Sequence, residues 1–220
     1  MLLSMNVIEL FSSIDGEGKR QGFLTTFLRL HDCNIRCSYC DTLYSYGPES
    51  TFESISVQAV ADVIEQLENH RITVTGGEPL LQEPAIIELI DELTIRNARY
   101  DFNIETNGTI IPSFHRDNVW FTYDYKTPSS LAEEAMNLDI FKVATPADII
   151  KFVVGSMQDL DRMDEILKTY PTDAQIFVSP VWGNIEGATI IEYMKAHDWQ
   201  NVRFQLQIHK FIWDPDAKGV

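Results

Sequence analysis

Residues 71–93 read RITVTGGEPLLQEPAIIELIDEL, and one complete strand–turn–helix unit lies inside them. Residues 71–75 form a short strand-like run, and Gly76-Gly77-Glu78-Pro79 breaks it. Pro84 suits the first turn of a following helix, whose Ile86, Ile87, Ile90 and Leu93 make an apolar stripe.

The same alternation extends in both directions. Upstream, residues 7–12 and 23–30 are apolar strand candidates joined by the turn-rich Asp15-Gly16-Glu17-Gly18, and residues 57–68 carry a helical stripe of Val60, Ile64 and Leu67. Downstream, residues 102–105, 119–124, 149–154, 176–179 and 202–208 read as strands. Helices are expected near 157–169, with Leu160, Met163, Ile166 and Tyr170, and near 186–196. Alternating strands and helices predict a parallel sheet with right-handed crossovers and helices packed outside it. A closed eight-unit barrel takes about 250 residues. At 220 residues and about six units by the alternation rule, the chain is expected to be α/β, an incomplete (β/α)6-type partial TIM barrel or else an open curved sheet. Residues 1–220 would form a single domain with a loop at 31–48 and a C-terminal extension at 211–220. The carboxyl ends of parallel strands share one rim where ligands bind, so the polar clusters that follow each strand should converge there.

The formal charge is −16, and the acidic excess runs through both halves. That excludes a protein built to hold a phosphate backbone, so no nucleic-acid partner is expected. No apolar run approaches the roughly 20 residues a membrane helix needs, so no membrane partner is expected either. No basic residue precedes Lys19, which does not fit a signal peptide. The cysteines are Cys33, Cys37 and Cys40 alone. An odd, clustered set is not a disulfide framework, and a reducing, cytoplasmic setting is expected.

Those cysteines stand as C-x3-C-x2-C in CNIRCSYCDT, residues 33–42. Thiolates this close suit a shared metal centre. Structural zinc, with His31 as a fourth ligand, is one use. An iron–sulfur cluster is another: clusters normally take four cysteines, so three would leave one iron open to a small molecule.

The spacing, with an aromatic before the last cysteine, resembles the signature of radical S-adenosylmethionine enzymes. Gly16-Glu17-Gly18, Phe27-Leu28-Arg29-Leu30, Cys40-Asp41-Thr42, Thr75-Gly76-Gly77-Glu78-Pro79-Leu80, Glu105-Thr106-Asn107-Gly108 and Gln207-Ile208-His209-Lys210 stand in this order. That order resembles the 7-carboxy-7-deazaguanine synthase family from about Val7 to Lys210. The resemblance implies a radical SAM domain converting 6-carboxy-5,6,7,8-tetrahydropterin to 7-carboxy-7-deazaguanine with loss of ammonia, in queuosine-precursor biosynthesis. It implies that Cys33, Cys37 and Cys40 hold a [4Fe-4S] cluster, and that Thr42 binds Mg2+ beside the substrate carboxylate. S-adenosyl-L-methionine would be met by Tyr39, Cys40, Asp41, Gly76, Gly77, Glu78, Glu105, Asn107, Asp124, Tyr125, Lys126 and Ser179. The pterin would be met by Ile14, Asp15, Gly16, Glu17, Arg29, Thr75 and His209. A flavodoxin or ferredoxin donor and a homodimer are implied with them.

This chain departs from the family pattern at two points: Asp15 stands where Gln is commoner, and Asp124-Tyr125-Lys126 stands where Ser-Pro-Lys is common. Residue by residue, Arg29 on an otherwise apolar strand needs a partner, which a planar carboxylate would supply. Two other readings stay open: a glycyl-radical-enzyme activase acting on a protein, and a zinc-bound interaction module.

Overall fold

The computed structural model describes residues 3–220. In chain order its elements are β1 (Ser4–Ile14), β2 (Leu24–Leu30), β3 (Glu53–Ser56), α1 (Val57–Gln66), β4 (Arg71–Gly76), α2 (Glu83–Arg96), β5 (Asp101–Thr106), β6 (Val119–Tyr125), α3 (Ile140–Val143), β7 (Ile149–Val154), α4 (Met157–Thr169), β8 (Gln175–Pro180), α5 (Gly187–Ala196), β9 (Val202–Phe204) and α6 (His209–Ile212). The strands form one sheet in the order β3-β1-β2-β4-β5-β6-β7-β8-β9. From β2 to β9 every neighbouring pair is parallel. The strand β1 pairs antiparallel with β2 and with β3. The end strands β3 and β9 do not pair with each other, so the barrel is incomplete, as expected.

Strand alternation sorts the residues to two faces. Leu28, Leu30, Ile72, Val74, Phe102, Ile104, Phe121, Tyr123, Phe152, Val154 and Val178 join the buried core shared with the helices. The intervening residues, among them Arg29, Thr75, Glu105, Asp124, Lys126 and Lys151, line a pocket on the concave face. Each large apolar side chain fully buried on the helix side is worth about 1.5–3 kcal/mol. A one-residue slip would exchange the two faces, so burial of the apolar set also fixes which polar residues face inward. Helices begin where their caps allow. Ser56 Oγ accepts from Ala59 N at the start of α1, and Ser156 Oγ accepts from Asp159 N at the start of α4.

The strict alternation expected from the sequence fails in three places. The first two strands form an antiparallel hairpin rather than a crossover unit. No helix joins β5 to β6, because residues 107–118 hold Gly108, Pro112 and a run of turn formers. The last strand stops at Phe204 rather than reaching residue 208, and His209 and Lys210 open α6 instead of ending a strand. Gln205 turns the chain here: its amide accepts from Gly18 N (2.7 Å) and donates to Gly18 O (2.9 Å). Ile208 N then donates to Gly16 O (3.2 Å). The backbone leaves the sheet because the 15–18 loop supplies the partners a further strand would have supplied. No helix among the described residues is long and apolar enough to cross a membrane.

Candidate active site

The polar faces of β2 and β4–β7, the cysteine loop, the 15–18 loop and the C-terminal segment enclose a pocket of about 400 Å³. Cys33, Cys37, Tyr39, Cys40, Asp41 and Thr42 line one side. Their loop is held mainly through backbone. Gly77 N donates to Leu30 O (3.2 Å), Glu78 N to Asp32 O (2.8 Å) and Ser38 N to Ser130 O (2.9 Å). A Cβ on Gly76 would collide with the Leu30 backbone, and one on Gly77 with Asp32 O. The two glycines, expected to meet adenosylmethionine, are needed first for the approach of the cysteine loop itself. Gly76 also sits at φ +137°, where a side chain is strained. Cys40 N donates to Cys37 O (3.3 Å), a tight turn between the last two cysteines. Arg36 closes the loop by donating to Cys33 O and Ile35 O, each at 2.7 Å.

The opposite side is held by charge. Glu17 is half-buried, accepting from Lys151 Nζ (2.8 Å) and Gln207 Nε2 (2.6 Å). Burial opposes its charge, but the Lys151 ammonium and the two hydrogen bonds outweigh that and hold its carboxyl below the usual range. Asp15 is buried. It pairs with Arg20 Nε (3.4 Å) and accepts from Thr73 Oγ1 (3.2 Å), so its side chain serves the loop while Arg20 bonds on to Ile72 O and Asp101. His209 packs so tightly over Gly16 that a Cβ there would strike its ring. Burial lowers the His209 pKa, favouring the neutral imidazole. Lys210 Nζ lies 3.2 Å from Asp41 Oδ2, which ties the C-terminal segment to the cysteine loop.

On the floor, Thr75 Oγ1 donates to Glu105 Oε2 (3.1 Å), and burial pushes the Glu105 carboxyl up to about 7. Arg29 Nε pairs with Glu9 Oε2 (2.9 Å), which also accepts from Tyr44 (3.1 Å). The partner that Arg29 required is thus first of all Glu9, its cross-strand neighbour. Thr42 Oγ1 donates to Asp41 Oδ1 (2.9 Å) at the pocket wall.

Of the residues expected at the site, Ile14, Asp15, Gly16, Glu17, Arg29, Thr75, Gly76, Gly77, Glu105, Asn107, Asp124, Lys126 and His209 reach this pocket together with the cysteine-loop residues. Three do not line it, and a fourth expectation also changes. Glu78 is fully buried, accepting from Leu80 N (2.9 Å), Thr106 Oγ1 (2.9 Å) and Asn107 N (2.7 Å); it braces the β4 and β5 ends and does not line the pocket. Tyr125 alternates to the helix side of β6, where its hydroxyl donates to Glu133 (3.0 Å). Ser179 is fully buried behind the pocket wall, with no hydrogen-bond partner for its hydroxyl among the described residues. His31, the fourth ligand of a zinc reading, packs at a tilt against Phe52 with centroids 4.2 Å apart and lies outside the pocket.

Sequence reasoning gave no role to Lys151, Gln205, Glu9 or Arg20, nor to Gln207 beyond its place in the family motif. Lys151 did leave a signal: it is the lone charge in the apolar run IIKFVV, residues 149–154. The extension also proves relevant, since Asp214 to Val220 line the pocket mouth and Lys218 Nζ sits 4.2 Å from the Tyr44 ring centroid.

Comparison with known proteins agrees with this geometry. The Radical SAM superfamily model matches residues 29–170. A 7-carboxy-7-deazaguanine synthase of Clostridium acetobutylicum is 36% identical over 99% of this chain and 100% of its own length. The chain belongs to the 7-carboxy-7-deazaguanine synthase family. It is therefore a radical S-adenosylmethionine enzyme. A second family member, from Thermoplasma acidophilum, is 32% identical over 98% of this chain and 100% of its own. The crystal structure of QueE from Escherichia coli shares the fold, with a TM-score of 0.70 over 92% of this chain and 93% of that one at 22% identity.

The family uses an iron–sulfur cluster and adenosylmethionine, and the residues present fit both. All three cysteines are free and partly exposed at the pocket wall. Burial pushes the Cys33 thiol up and the Cys37 thiol up to about 11, so a metal must displace their protons. Among the described residues, no three His, Cys, Asp or Glu side chains converge tightly enough for one ion.

Proposed function

We propose that this chain converts 6-carboxy-5,6,7,8-tetrahydropterin to 7-carboxy-7-deazaguanine with release of ammonia. The observation that carries the reading is one pocket joining three free cysteines to a charged roof, in a chain related over its whole length to synthases of that name. Cys33, Cys37 and Cys40 would hold the cluster, with Tyr39, Asp41, Gly76, Gly77, Asn107 and Lys126 around adenosylmethionine. When bound, these groups supply the radical that abstracts hydrogen from the pterin.

The chain's own residues position and shield the substrate. Arg29 spends its Nε on Glu9, and among the described residues its terminal nitrogens make no hydrogen bond to protein. They are left to take a planar carboxylate as a fork. Thr42, beside Asp41, would take Mg2+, which accepts few protein ligands and keeps several waters. The loop at 14–17, pinned by Gln207 and covered by His209, would exclude water from above. This covered pocket argues against an activase, whose glycyl-loop target needs an open face. A homodimer, a flavodoxin or ferredoxin donor, and a cytoplasmic setting belong to the same reading.

Anaerobic assay with adenosylmethionine, reductant, Mg2+ and the carboxypterin tests it. Ammonia and the deazaguanine acid are expected from wild type and from neither Cys37→Ala nor apo protein. Brown wild-type protein with an intact cluster and neither product would overturn the specific reaction. A colourless, zinc-replete protein would overturn the cluster itself.

A further inference from the structure

A row of alternating charges crosses the pocket from the cysteine side to the roof. Lys126 Nζ lies 3.0 Å from Asp124 Oδ2, and Lys151 Nζ lies 3.7 Å from the same oxygen. Lys151 Nζ also lies 2.8 Å from Glu17 Oε2, and Glu17 Oε1 accepts from Gln207 at 2.6 Å. The side chains of both lysines and of Glu17 are 9–13% exposed. A buried ammonium without a counter-ion is costly, and here each one faces a carboxylate. Lys126 directly follows β6 and Lys151 lies on the adjacent β7, with Asp124 and Lys151 in direct register. Among the described residues, Asp124 is therefore the carboxylate within ion-pair distance of both.

We propose that Asp124, Lys151 and Glu17 form a positioning relay that holds the 15–18 loop and the 205–209 segment closed over the substrate, with Lys151 as its central residue. The role of Asp124 follows from this. At a position where a neutral residue is common in the family pattern, this chain carries a carboxylate, and that carboxylate anchors Lys151. Lys151 in turn fixes Glu17, and Glu17 fixes Gln207. The backbone carries the constraint outward, because Gly18 N is held by Gln205 and Gly16 O accepts from Ile208 N. Removing the Lys151 ammonium leaves Glu17 half-buried and facing only an amide, and the roof should loosen without disturbing the backbone-held cysteine loop.

The proposal rests on the pterin reading only for its kinetic arm, so two readouts are needed. In the purified cluster-loaded protein without substrate, hydrogen exchange at the Gly18 and Ile208 amides should speed at least tenfold in Lys151→Met. Amides of residues 37–40 and the iron content should stay at wild-type values. Lys151→Arg should restore most of the protection, and Gln207→Leu, which leaves the Glu17–Lys151 pair intact, should reproduce part of the loosening if Lys151→Met fails to fold. In the assay, Lys151→Met should raise KM for the carboxypterin at least tenfold with kcat and the adenosylmethionine KM within about threefold. Unchanged roof exchange in Lys151→Met, or in Gln207→Leu where the former does not fold, overturns the relay. So does equal loosening of roof and cysteine loop. A wild-type protein that makes no deazaguanine, with the exchange pattern as expected, overturns the reaction and leaves the relay standing.

Discussion

The two sides of the pocket are held by different forces. The cysteine side is fixed by backbone: Leu30 and Asp32 carbonyls accept from Gly77 and Glu78, and the approach is so close that Gly76 and Gly77 admit no side chain. The roof is fixed by side chains, through Glu17, Lys151 and Gln207. Close packing is insensitive to pH and salt, whereas a carboxylate–ammonium contact depends on the protonation of both members. The side that would carry the cluster is thus rigid by sterics. The side that must admit substrate is held by contacts that can be undone one at a time.

The sharpest way to break this contrast is Gly77→Ala. The new methyl meets backbone rather than a movable side chain, and overpacking of this kind costs on the order of 3 kcal/mol. A fall in Tm of roughly 10 °C is expected for a domain of this size, together with lower iron retention after reconstitution. A normal Tm with full iron content would show that the cysteine side yields as readily as the roof.

A smaller effect is expected at the roof, and it should depend on pH. Glu17 titrates below its ordinary value of 4.5 in the folded chain. Its ion pair therefore stabilises the fold fully above that value, and the contribution is lost as pH falls through the lowered folded pKa. Glu17→Gln should be less stable than wild type by about 2 kcal/mol at pH 7, where Lys151 loses one of its two carboxylates. The gap should close on acidification below about pH 4.5. Urea titrations of both proteins at pH 7 and pH 4 check this, and a gap independent of pH would mean the pair adds no electrostatic stability. The smallest effect belongs to a pair outside the pocket. Arg96 joins α2 to Asp62 and Glu65 of α1 across exposed surface, so Arg96→Ala should cost about 0.5 kcal/mol. A loss as large as that of Glu17→Gln would show that burial does not set the worth of these ion pairs.

The features legible in the sequence were local ones. Cys33, Cys37 and Cys40 are close in space because they are close in the chain, and Gly76-Gly77 ends a strand wherever that strand lies. The β–α alternation was legible over β4–α2, β7–α4 and β8–α5, where the hydrophobic period changes from two to 3.6. It misled after Phe204, because Gln205 and Gln207 find their partners in residues 17 and 18, far away in sequence. Glu78 stands among the adenosylmethionine contacts that the resemblance implies, but it lies outside the pocket lining, where three donors hold its carboxylate. Tyr125 lies between two pocket residues and still faces the helices, a matter of strand parity that motif matching does not weigh.

By itself the sequence determined the sheet-and-helix class, the cysteine triplet and the family, because each depends on residue type and short spacing. Only the tertiary structure decided which charges meet. It paired Arg29 with Glu9, set Asp124 between Lys126 and Lys151, and brought residues 205–220 back over a loop near residue 17. The physical reason is that an ion pair or a buried hydrogen bond acts over a few ångströms in space and is indifferent to separation along the chain.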